Sequence, residues 1–228
     1  MATPAPDLEL IYVGDPMCSW CWGFAPVLER MEEVYDVPLR LVVGGLRPGP
    51  AAEELDDRME EFLAHHWEAV AEASGQPFDH SFLQRRDGWL YDTEVPAIAF
   101  VTMRELDQSL ALQFHSRLQR AFYAECVDIT DPGAYPSLVS EFDVDSGKFM
   151  EMVASGEMKR RAWDDFNEAR AMGVSGFPAV LLRDGAEWGI VTKGFVPADK
   201  LLPALSDWLI GRYTETSDAL FCEPGTVC

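Results

Sequence analysis

The chain has 228 residues, 48% of them hydrophobic and 11% aromatic, enough apolar side chain for a substantial buried core. Acidic residues number 39 against 18 basic, a formal net charge of −21 spread along the chain, which argues against phosphate-backbone binding because that needs Lys and Arg. No run of eighteen apolar residues occurs, and Met1 to Leu10 hold neither a basic start nor an apolar stretch of signal-peptide length. The expectation is a soluble, cytoplasmic protein with no nucleic acid and no membrane among its partners.

In chain order, Leu8 to Val13 form a short apolar run closed by Gly14-Asp15-Pro16, a buried strand entering a tight loop. From Cys18 onward, Phe24, Val27, Leu28, Met31, Val34 and Tyr35 recur at helical spacing, with Pro26 inside the predicted helix. Leu39 to Val43, introduced by Pro38 and closed by Gly44-Gly45, read as a second buried strand. Strand, helix, strand implies a parallel pair joined by a right-handed crossover. Strand-like runs then disappear until about Pro178. Residues 51–73, 95–106, 108–125, 135–142, 146–155 and 157–172 carry helical spacing instead. Pro178 to Leu182 and Trp188 to Val191 read as a hairpin turning at Asp184-Gly185, followed by a helix presenting Leu201, Leu205, Trp208 and Leu209. The expected fold is α/β.

Cys18-Ser19-Trp20-Cys21 sets two thiols on one face of a first helical turn, a spacing that suits a reversible disulfide. Cys18 stands where unpaired backbone N–H groups and the positive end of the helix dipole favour a thiolate. Cys21, one turn deeper, can resolve a mixed disulfide. The competing readings are half of a zinc site or a coincidental pair. Zinc needs two more ligands, and Cys222 and Cys228 are spaced too widely for a knuckle. No metal site emerges: His65 and His66 point apart on a helix, and His80 and His115 stand alone. Phe177-Pro178, before a strand, is either a cis bond that turns the Phe177 backbone toward an extended substrate or an ordinary trans proline.

Asp15 stands three residues before Cys18 as a turn-forming residue or as a proton acceptor for Cys21. Glu94 reads as a helix-start acid ahead of a site carboxylate. Trp20 and Trp22 are expected to form an apolar rim for substrate peptides, whereas Trp67, Trp89, Trp163, Trp188 and Trp208 read as packing. Cys126 is expected to be buried or inert. Cys222 and Cys228, bracketing Pro224-Gly225, form a candidate auxiliary redox pair, against the alternative of two idle thiols in a loose tail.

The run Cys18-Ser19-Trp20-Cys21-Trp22-Gly23-Phe24, the loop Gly173-Val174-Ser175-Gly176-Phe177-Pro178, and Leu118-Gln119-Arg120-Ala121-Phe122-Tyr123 followed by Asp128-Ile129-Thr130 resemble the DsbA-like family of thioredoxin-fold proteins, closest to its cytoplasmic FrnE-like branch. The resemblance runs from about Leu8 to Tyr213. It implies a thioredoxin-like domain of residues 1–46 and 173–213, an all-helical insertion of residues 47–172, and a tail of residues 214–228. It further implies a cis-Pro178 against the thiol pair and disulfide exchange with protein thiols, with glutathione or thioredoxin as redox partner and no organic cofactor. Periplasmic members carry Pro-His between their cysteines where this chain has Ser19 and Trp20, so strong oxidising power does not follow. Kappa-class glutathione transferases and hydroxychromene-carboxylate isomerases share the fold but use a serine near the first cysteine position. Certain adaptors that deliver clients to a protease also resemble the family.

Overall fold

The computed structural model describes residues 8–85 and 88–211; Cys222 and Cys228 lie outside them. The elements in order are β1 (Leu8–Gly14), α1 (Ser19–Val34), β2 (Leu39–Val43), β3 (Glu53–Glu54), α2 (Asp57–Ser74), β4 (Leu90–Tyr91) and α3 (Glu94–Leu106). There follow α4 (Ala111–Ala124), α5 (Tyr135–Val139), α6 (Ser146–Val153), α7 (Gly156–Ala171), β5 (Ala179–Asp184), β6 (Glu187–Lys193) and α8 (Ala198–Gly211).

The sheet runs β2-β1-β5-β6. β1 pairs in parallel with β2 and antiparallel with β5, and β5 pairs antiparallel with β6 across a turn in which Gly185 has φ 60. The alternation of strand side chains explains why β1 is apolar throughout. Leu8, Leu10 and Tyr12 enter the larger core beneath α1, while Ile11 and Val13 enter a second core with Val42, Leu181, Ile190 and Ala169 of α7. With helices on both faces, β1 sits inside the sheet, and its C-terminal end delivers the chain into the loop before α1. The helix continues through Pro26, whose side is exposed, so the missing N–H there interrupts no core contact.

The helical block begins later than its periodicity suggests. Residues 49–51 form a 3₁₀ turn, and α2 starts only at Asp57, where the Asp56 carboxylate accepts the Met59 amide at 2.8 Å. Between them β3 pairs with β4 as a two-residue ribbon. Its exposed Glu53-Glu54 have no apolar alternation that could have announced a strand. A buried ion pair fastens the block to the sheet. Arg104 of α3 donates through both terminal nitrogens to Asp165 of α7, at 2.7 and 3.0 Å, and also to the Leu41 carbonyl. Asp165 in turn accepts the Val43 amide at 3.0 Å, fixing the end of β2. Among the described residues, no helix is long and apolar enough to cross a membrane.

Candidate active site

Cys18 is the N-cap residue of α1, with extended backbone angles, yet its side chain caps no amide. The thiol instead faces the Phe177 carbonyl, donating to it at 3.7 Å across 159 positions of sequence. The Phe177–Pro178 bond is cis, and Pro178 leads directly into β5. Gly44, just after β2, has no side chain because the Phe177 ring occupies that space; a methyl group there would collide with it. The ring therefore points into the fold and the carbonyl points at the sulfur. Cys18 and Cys21 are both free thiols; Cys18 is 7% exposed and Cys21 is not exposed at all.

Burial pushes the Cys21 thiol up, and the neighbouring Cys18 adds to this, while the Tyr12 hydroxyl and the Asp15 backbone favour its thiolate. Cys21 is thus held protonated inside the fold. Of the three described cysteines, Cys21 is therefore expected to alkylate last, a rank order that mass spectrometry of timed iodoacetamide digests would check, and Cys21 labelling ahead of Cys18 would contradict it.

Asp15 is completely buried, and each carboxylate oxygen accepts a backbone amide at 2.9 Å, one from Met17 and one from Leu46. Burial dominates those bonds and pushes its carboxyl up to about 6. Asp15 is accordingly both the loop-former and an ionisable group beside the thiols. Because its folded value lies above that of an unfolded Asp, its charge destabilises the fold above pH 6 and the cost fades as pH falls through 6. Relative to Asp15→Asn, the native chain should gain about 1.4 kcal/mol between pH 7.5 and pH 5. Parallel denaturant titrations at the two pH values measure this, and an unchanging gap would refute the buried charge.

Three residues missed in the sequence complete the surroundings. Tyr91 donates to the Met17 carbonyl, holding the active-site loop from β4. Tyr123 of α4 stacks on Trp22, and the Arg47 guanidinium lies 5.2 Å over the Tyr91 ring and favours the Asp15 carboxylate. Tyr123 closes the Leu118–Tyr123 run that carries the family resemblance, but nothing local assigns any of the three to the site, since each acts through contacts 30 or more positions away in the chain.

The expectations for Trp22 and Cys126 need correction, while Trp20 and Glu94 stand where their readings put them. Trp22 is no rim residue: it is 6% exposed, stacked on Tyr123, and its indole N–H is engaged by the Pro77 carbonyl at 3.0 Å. One position past Cys21, the helix turns it toward the helical block rather than outward. Trp20 is half-buried against Phe195, with ring centroids 5.7 Å apart. Glu94 is the first residue of α3, and its carboxylate is taken by Lys159 at 2.6 Å and Trp163 at 2.7 Å. Cys126 is exposed, at a positive φ of 56 after α4, and accepts a hydrogen bond from Ser81. The helix ends at Ala124, so Cys126 falls in the turn rather than under the helix.

The family model of the DSBA-like thioredoxin domain matches residues 9–205. A candidate protein disulfide isomerase from Nitrosomonas europaea is similar in structure, 31% identical with a TM-score of 0.79, over 89% of this chain and 98% of its own. Cytosolic disulfide reductase DsbM from Pseudomonas aeruginosa is 26% identical with a TM-score of 0.71, over 91% of this chain and 98% of its own; DsbM is also known in a structure with GSH. The ClpXP adapter protein SpxH of Bacillus subtilis is 24% identical over 179 residues, which are 78% of this chain but only 58% of the adapter's length. The matched span carries β1, the thiol pair at the head of α1, the helical block and the Phe177–Pro178 turn into β5, and the chain belongs to the DSBA-like thioredoxin domain family.

Proposed function

We propose that this protein is a cytoplasmic thiol–disulfide oxidoreductase that exchanges disulfides with protein substrates through Cys18 and Cys21. The carrying observation is the asymmetry of the pair: Cys18 stands at the N-cap position of α1 with its sulfur turned to the Phe177 carbonyl and slightly exposed, and Cys21 lies fully buried behind it. In the reducing direction, the Cys18 thiolate attacks one sulfur of a client disulfide, and the other client sulfur leaves as a thiolate. Cys21 then attacks the Cys18 sulfur, closing the Cys18–Cys21 bond and releasing the second client thiol. Oxidation runs these steps backward. The Phe177 carbonyl borders the Cys18 sulfur just ahead of the cis-linked Pro178, and Trp20 with Phe195 forms an aromatic shoulder against which a client chain can lie. Asp15 supplies a buried carboxylate near its protonation midpoint close to neutral pH, the property required of a group that takes a proton from Cys21.

Client proteins are the substrates in this reading, and reduced glutathione or thioredoxin returns the pair to the dithiol. The presence of GSH in a DsbM structure favours glutathione. Reduction of insulin with glutathione as electron source tests the proposal. The native chain should accelerate it, and Cys18→Ala/Cys21→Ala should not exceed the uncatalysed rate. Similarity to SpxH favours a second reading, an adaptor that delivers clients to a protease. That role would survive the double substitution in a client-binding assay while insulin reduction stayed at background for the native chain as well.

A further inference from the structure

Tyr12 does more than fill the strand. Its ring lies forward over Gly14, where a methyl group would collide with the hydroxyl, so the glycine two residues on exists to let the phenol reach the loop end of β1. The ring stacks on Phe24 at 6.1 Å between centroids and 3° between planes. Phe24 lies one helical turn beyond Cys21, so the phenol rests on the face of α1 that carries the resolving thiol. Tyr12 is 1% exposed, and among the described residues its hydroxyl has no hydrogen-bond partner. An uncommitted buried hydroxyl costs stability unless some state of the protein engages it.

We propose that Tyr12 is the positioning residue for the resolving cysteine, its hydroxyl donating a hydrogen bond to the Cys21 thiolate as that thiolate forms in the mixed disulfide. This inference rests on the exchange reaction proposed above. In the step concerned, the Cys21 thiolate forms the S–S bond to Cys18, the Cys18–client bond breaks, and the electron pair leaves on the client sulfur. The proton given up by Cys21 is taken by Asp15 and ends on that departing sulfur by way of solvent. Tyr12 keeps its own proton: burial pushes the phenol well above its ordinary value, and a nearby Cys21 thiolate pushes it further. The other titratable groups facing the pair are Cys18, Asp15, Tyr91 and Tyr123, with Arg47 beyond Tyr91. His115, edge-on to the Tyr12 ring, is pushed down to about 3 by burial and stays neutral. Among these neighbours the Tyr12 hydroxyl is a neutral donor that favours the Cys21 thiolate.

The test uses the full chain with Cys126, Cys222 and Cys228 replaced by serine, mixed with dithiobis(nitrobenzoate) across a pH series. Attack by Cys18 releases the first thionitrobenzoate, and attack by Cys21 on the resulting mixed disulfide releases the second. Tyr12→Phe should slow the second release about tenfold at pH 7 and move its pH profile up by about one unit, a hydrogen bond to a charged sulfur being lost. The first release and the melting temperature should hold, because the phenyl fills the same space. Gly14→Ala, which keeps the hydroxyl but displaces the ring, should shift the second phase in the same direction. An unchanged second-phase profile in Tyr12→Phe would overturn the role of Tyr12. Absence of any second release from the native pair would instead overturn the exchange reaction itself, so the two failures are distinguishable.

Discussion

Cys21→Ser should accumulate covalent complexes with client proteins in cells, visible as slow bands on a non-reducing gel and dissolved by dithiothreitol, whereas Cys18→Ser should accumulate none. The reasoning is that the first thiol makes the bond to the client and the second breaks it, so removing the second strands the intermediate. Geometry supplies the direction. Cys18, at the head of α1 beside the Phe177 carbonyl, keeps 7% exposure, while Cys21 has none and is out of reach of any macromolecule. Turnover of a disulfide-bonded substrate should fall to background in Cys18→Ser. A packing role for the two cysteines predicts no asymmetry, since both substitutions would only destabilise the fold. A glutathione-dependent transferase predicts that Cys21→Ser retains its activity. Equal trapping by both variants, or full turnover by Cys21→Ser, would contradict the division of labour.

The largest loss of stability is expected at Asp165. Its carboxylate is held by both terminal nitrogens of Arg104 and by the Val43 amide, with side-chain exposures of 12% for Arg104 and 9% for Asp165. Asp165→Ala leaves a buried guanidinium without its counter-charge and an amide without its acceptor, and should cost about 3–5 kcal/mol. Against total stabilities of about 5–15 kcal/mol for domains, that is a large share. Arg104→Met/Asp165→Leu should recover much of it, because replacing both charges by apolar groups removes the desolvation cost along with the attraction. The damage should also reach the site. Val43 precedes Gly44, which donates to the Gly14 carbonyl at 2.7 Å and carries the Phe177 ring. Denaturant titration gives the cost, and a loss below about 1 kcal/mol would show that the pair is solvated.

The thioredoxin-like part of the fold was legible because its signals are local. A buried strand, a C-x₂-C opening an amphipathic helix, and a proline before a later strand each occupy a few adjacent residues. The parallel β1–β2 pair and the β5–β6 hairpin follow from connection length and turn chemistry. Asp15 was legible as a residue of the turn before Cys18, although its burial was not. Trp22 was misplaced because helical phase relative to a neighbouring block is a tertiary property, and one position decides between rim and core. Tyr12 read as an ordinary strand aromatic, since its reach over Gly14 toward α1 appears only once β1 and α1 are packed. Arg104 and Asp165 stand 61 positions apart on two helices whose charged residues otherwise read as solvated faces.

Interconversion of Cys18 and Cys21 between dithiol and disulfide is read most plainly from the state of that pair at equilibrium in buffers of graded glutathione redox poise. Acid quenching, alkylation and mass spectrometry would count the thiols at these two positions. One reversible two-electron transition is expected, in which both are lost together, with no intramolecular bond in either Cys18→Ser or Cys21→Ser. Two thiols that stay independently free, or that form only separate glutathione adducts across the whole range, would contradict it.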